Sequence, residues 1–206
     1  MGGIALIAGS VGSLLTMAFH PSGRDFFVPG QLDSVTRMNI GVHALAIASM
    51  PFLFLGALAL SRRLSSPDRL AIAGLVVFGF ALAAGMAAGT VSGFVAPSLA
   101  REIITTASPI TEGWRIVAKY NGRLNHAFAA VLAVASSGAI VLWSASIVKN
   151  RALALGIGIY GLVLGPAIVI ALVSGLPFSV HGFGLVILGQ TIWFIAVGIL
   201  LWRPRK

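Results

Sequence analysis

The sequence predicts an all-α, polytopic membrane bundle of six transmembrane helices, and three observations carry that expectation. The chain is 58% hydrophobic and only 9% charged, with a mean hydropathy of +1.00. A soluble domain carries about 25% charged residues, so water alone could not solvate this surface. The apolar residues also fall into six runs, roughly 2–19, 39–60, 70–97, 124–148, 152–173 and 180–202. Each run is close to the length of about 20 residues that a bilayer core requires. Finally, the connections between runs alternate in charge. Residues 1–206 therefore read as a single transmembrane domain.

The first run is the shortest. It lacks a basic segment before its apolar stretch, and His20-Pro21 is no small-residue cleavage site. It reads as a retained helix rather than a signal peptide.

The short second and fourth connections and the C-terminal end carry Arg62, Arg63, Arg69, Lys149, Arg151, Arg203, Arg205 and Lys206, with Asp68 as their one acid. On the other face the loops are longer, and Asp25, Asp33, Glu102 and Glu112 dilute their basic residues. The positive-inside rule then puts both termini in the cytoplasm, as in a multi-pass protein of a bacterial inner membrane. The net charge of +9 belongs to this topology and to anionic headgroups, not to nucleic acid.

Within the runs, Gly85-x-x-x-Gly89-x-x-x-Gly93 and Gly161-x-x-x-Gly165 form flat stripes on which a neighbouring backbone can approach. The expected partner is another helix of the same chain; a homo-oligomer contact is the alternative. Pro51 and Pro166 remove backbone hydrogen bonds inside the second and fifth runs and predict kinks there.

The segment from Arg69 to Gly93 aligns without gaps on Arg151 to Gly175, with seven of 25 positions identical. The helix after each copy opens with a histidine, in Asn125-His126-Ala127-Phe128 and His181-Gly182-Phe183-Gly184, and His43-Ala44-Leu45-Ala46 opens the second run similarly. This pattern predicts three hairpins around a pseudo-symmetry axis, with His43, His126 and His181 converging on it. The loop 98–123 predicts a short interfacial helix starting at Ser108-Pro109 and anchored by Trp114.

All four histidines (His20, His43, His126 and His181) fall on the non-cytoplasmic side in this topology. Imidazole is a common ligand of zinc, copper and iron, its second nitrogen steered by a hydrogen-bond partner. Asn39, one turn before His43, and Asn125, beside His126, are candidate steering groups, and Gln190 lies deeper below His181. Arg37 and Arg123 stand where they could pair with the propionates of a single haem b or with another anion. The structural alternative is that each histidine merely hydrogen-bonds a loop carbonyl at a helix end. The set resembles the axial histidines of di-haem cytochrome b proteins only superficially, because no histidine lies near the cytoplasmic side.

There are no cysteines, which excludes thiolate metal sites and disulfides. No run contains an acidic residue, so no carboxylate relay crosses the bilayer. Complete catalytic motifs are absent, and Glu112 is the one carboxylate nominated as a general base for zinc hydrolysis. Three functions fit this pattern. The first is an outer-face site for a transition metal or haem, serving electron transfer, metal handling or sensing. The second is an accessory or assembly subunit of a larger membrane complex. The third is a small-solute transporter built on the kinked helices.

Overall fold

A computed structural model describes residues 1–64, 69–106, 110–175 and 180–202. The described residues are helical, without strands. Helix α1 runs Gly2–Ala18, and a 3-10 turn at Asp25–Phe27 leads into α2, Leu32–Leu64. Helix α3, Arg69–Thr90, continues through a π-helical turn at Val91–Val95 into α4, Ala96–Thr105. Helices α5, Ile110–Asn150, α6, Leu155–Val173, and α7, Val180–Trp202, complete the chain.

Among the described residues, five helices are long and apolar enough to cross a membrane; Gly2–Ala18 is a shorter apolar helix. It packs along both α2 and α7 and so stands within the bundle. Its small residues allow this. A Cβ on Gly9 would lie 2.8 Å from Leu53 Cγ, and Leu6 Cβ sits 2.6 Å from the Cβ position of Gly56 on α2. Lipid tails are as apolar as leucine, so close van der Waals packing rather than the hydrophobic effect must hold such helices together.

Several expectations are corrected. The separate interfacial helix does not form: residues 110–123 are the first turns of the 41-residue α5. Its start at Ser108-Pro109 lies outside the described residues. At 1.5 Å per residue α5 is about 60 Å long, twice the bilayer core. The hydropathy of its polar beginning hid that continuity. Pro51 and Pro166 lie inside α2 and α6, each of which is one continuous helical element. Nor do three equivalent hairpins assemble. Helix α3 packs closely on α5, but α6 leans on α5 and α7 on α1, so the last two helices touch each other little.

The π turn at Val91–Val95 ends two residues before Pro97. Pro97 has no N–H to offer the carbonyl of Gly93, one α-turn earlier, or that of Ser92, one π-turn earlier. Asn39 of α2 serves both. Its Nδ2 donates to Ser92 O at 2.9 Å and to Gly93 O at 3.1 Å, and Asn39 is 1% exposed. From the other side Asn121 Nδ2 of α5 donates to Val91 O at 3.4 Å. The π turn is therefore a socket into which two neighbouring helices each insert an amide.

At the opposite end of the bundle an aromatic core forms around Trp143, Trp193, Phe78 and Phe194. The two indoles stack with centroids 6.0 Å apart, within the favourable range for ring pairs. Trp143 Nε1 donates to Ser61 Oγ at 2.9 Å and to Ala71 O at 3.1 Å, tying α5 to α2 and α3.

Asn39→Ala should therefore destabilise the bundle by about 1–2 kcal/mol, the cost of stranding buried carbonyls when the unfolded state remains in lipid. Adding Pro97→Ala supplies an N–H to the same carbonyls. In the Pro97→Ala background the Asn39→Ala penalty should shrink, as read by a double-mutant cycle in detergent unfolding. Equal penalties in both backgrounds would contradict this account of the turn.

Candidate functional site

Helix α1 ends at Ala18, and the chain turns at His20-Pro21 toward α2. There the His20 ring meets His43, one turn past Asn39. The two rings cross at 69° with centroids 4.8 Å apart, and their Nε2 atoms lie 3.2 Å from each other. His43 is 5% exposed. Its approach depends on the glycine stripe of α3. Gly85 faces Met50, Gly89 faces Ile47, and a Cβ at Gly93 would collide with the Cβ of His43. The stripe thus serves helix packing within the monomer, and its last member seats the histidine.

The other nitrogen of each ring is already engaged. His43 Nδ1 lies 2.8 Å from Asn39 O, and His20 Nδ1 lies 2.7 Å from Pro21 O. A carbonyl can only accept, so both Nδ1 atoms carry the proton. In the neutral rings both Nε2 atoms then carry lone pairs. Burial lowers the His20 pKa below its ordinary 6.5, opposed by the bond to Pro21, so that ring is neutral at pH 7. Two lone pairs 3.2 Å apart form no hydrogen bond with each other. A proton or a metal ion placed between them would satisfy both.

The pair stands at the mouth of a cavity of about 610 Å³ enclosed by α1, α2, α3, α5 and α7. Its outer rim includes Arg24, Asn125 and His126; its deep end reaches Gln190, Phe78 and Phe194. Walls that are mostly apolar, with a few convergent polar groups, are usual for small-molecule sites.

The sequence-based candidates separate as follows. His20 and His43 come together. His126 is exposed but lies on the cavity wall, with Asn125 beside it. His181 is exposed and is not part of that wall, so His43, His126 and His181 do not converge. Among the described residues no three histidine or acidic side chains group closely enough to hold an ion by themselves. The backbone carbonyl of Asn39, one turn away, accepts from His43 Nδ1, while the Asn39 side chain serves the π turn. Arg37 and Arg123 are exposed and away from the cavity, and Glu112 is exposed on the first turn of α5. Among the described residues, Arg24 is the one permanently charged side chain on the wall. Gln190 is buried, its Oε1 accepting from Ser136 Oγ and its Nε2 donating to Ser137 Oγ, both at 3.0 Å.

Sequence reasoning missed the hydroxyls of α1: Ser10, Ser13 and Thr16, all on the cavity wall. Their three-residue spacing in an otherwise apolar helix was the available signal.

Gly93→Ala should cost about 1–3 kcal/mol by overpacking against His43. Gly79→Ala is the control, because no atom lies within 4 Å of the Cβ position there, and it should be neutral or slightly stabilising. Similar effects of the two changes on the unfolding midpoint would contradict the seating of His43 on Gly93.

No protein-family model, curated protein or solved structure matches this chain.

Proposed function

We propose that this membrane protein binds a transition-metal ion through Nε2 of His20 and His43, at the non-cytoplasmic mouth of its bundle. One observation carries the reading: two Nε2 lone pairs 3.2 Å apart on rings whose Nδ1 atoms both donate to carbonyls. Second-shell carbonyls that fix ring tautomer and orientation in this way accompany most metal-bound histidines. With each nitrogen about 2.0–2.1 Å from a shared ion, a 3.2 Å separation subtends about 100–106°. That is close to a tetrahedral angle.

The same number argues against haem between these two residues. Axial ligands stand on opposite sides of the metal, at twice the metal–nitrogen distance or about 4 Å, and these rings are closer and crossed. Zinc, copper or nickel suits imidazole best. The remaining positions face the cavity and are open to water, to a small ligand or to His126 on the same wall. The positive-inside asymmetry supports placing this mouth outside the cytoplasm. Metal handling or sensing then fits better than hydrolysis, because Glu112 is remote from the cavity.

The test is zinc binding to purified protein by titration calorimetry in mild detergent. One ion per chain is expected. His20→Ala and His43→Ala should each weaken it by more than about tenfold, His126→Ala less, and His181→Ala not at all. Wild-type protein that takes up no zinc, copper or nickel would overturn the proposal, leaving a proton between the rings. An equal loss in His181→Ala would overturn the assignment to these two residues.

A further inference from the structure

The cavity behind the histidines has a one-sided hydrogen-bonding character. Ser10 Oγ donates to Leu6 O at 2.7 Å, and Ser13 Oγ to Gly9 O at 3.0 Å. Thr16 Oγ1 has Gly12 O at 3.0 Å and Val42 O at 3.1 Å as acceptors. Ser136 Oγ has Leu132 O at 2.6 Å and Gln190 Oε1 at 3.0 Å. A hydroxyl carries one hydrogen and two lone pairs, so each of these groups gives its hydrogen to the protein and keeps an acceptor. The amide hydrogens of Gln190 are likewise engaged, by Ser137 Oγ at 3.0 Å and Ala133 O at 3.4 Å. Arg24 and Asn125 carry donors, but they sit at the rim. At these groups the deep wall presents lone pairs rather than hydrogens.

Its size and lining fit an organic molecule better than bulk water. The volume of about 610 Å³ would hold about 20 waters at about 30 Å³ each. Beyond the hydroxyls they would face carbon, from residues such as Met50, Leu82, Phe183 and Ile187. Wall residues on α7 run from Val180 to Phe194, about 21 Å along the helix. The space is therefore long, and Phe78 and Phe194 lie at its inner end against the aromatic core.

We infer that the cavity binds a lipid-like molecule with a long apolar body, whose buried polar group is a hydrogen-bond donor: an alcohol or a primary amine rather than a ketone or an ether. Such a group supplies a hydrogen to the lone pairs of Ser10, Ser13 or Ser136. A ketone or ether oxygen would face lone pairs only and leave buried acceptors without a partner, which is the costly arrangement. The inference rests on the hydroxyls and the cavity shape, and it stands whether or not the histidines hold a metal.

The test uses the full chain in lipid nanodiscs with three photoactivatable probes of equal chain length: a diazirine-bearing fatty alcohol, its methyl ether and the matching ketone. The alcohol should label cavity residues such as Met17, Met50 or Phe183, about fivefold more than the ether or ketone, the worth of one net hydrogen bond. In a Ser10→Ala/Ser13→Ala/Ser136→Ala variant that preference should fall to near parity. Ala129→Phe, which fills the cavity, should abolish cavity labelling by all three probes. Labelling confined to lipid-facing residues such as Val163 and Ile170 would overturn the inference, as would equal cavity labelling by the three probes in wild type. Repeating the experiment with His20→Ala separates the two proposals. The alcohol preference should persist there, even if zinc binding is lost or never existed.

Discussion

Two carbonyls left without partners by Pro97 are the constraint on which the histidine end of this bundle depends. A proline inside a helix ordinarily kinks it or strands an acceptor in a medium without water. Here α3 widens into a π turn, α2 supplies the Asn39 amide to both carbonyls so freed, and Asn121 of α5 donates to Val91 O in the same turn. Association of α2 with α3 is thereby fixed in register as well as in distance. One turn beyond Asn39, the same register sets the His43 Cβ against the bare backbone of Gly93, and Asn39 O takes the Nδ1 hydrogen. The His43 tautomer is set within α2 itself, by the Asn39 carbonyl one turn earlier.

The two ends of the bundle solve different problems. Around Trp143 and Trp193 the indole N–H groups find acceptors on neighbouring helices, and the aromatic rings fill the space between them. Toward the histidines the glycine stripe faces α2, α7 leans on α1, and a cavity remains between them. The hydroxyls lining it are satisfied by their own helices, which lets serine and threonine stand in lipid-embedded helices at little cost. Their lone pairs, together with the two histidine nitrogens, leave acceptors facing the interior.

Much of this was legible from residue patterning. Five long spans follow from hydropathy, because apolar runs of that length have no other stable setting in this composition. The glycine stripe of α3 identified a packing face. Other features were not legible for physical reasons. Hydropathy ends where α5 leaves its apolar stretch, whereas helical hydrogen bonding continues to Ile110, so that a span and an interfacial helix proved to be one element. The likeness of His43, His126 and His181 in local context carried no information on helix rotation, and rotation sends His181 outward. His20 meets His43 through a loop, whose path no periodicity encodes. The π turn was within reach: Gly93 and Pro97 stand at the interval at which a proline orphans a carbonyl.

The most direct test of the central claim is ¹⁵N NMR of histidine-labelled, metal-free protein at neutral pH, with signals assigned by single replacement of His20 and His43. Both rings should be protonated at Nδ1 and bare at Nε2. A ring carrying its proton on Nε2 would contradict it, because the pair would then be an ordinary N–H···N hydrogen bond with no lone pairs left to share a cation.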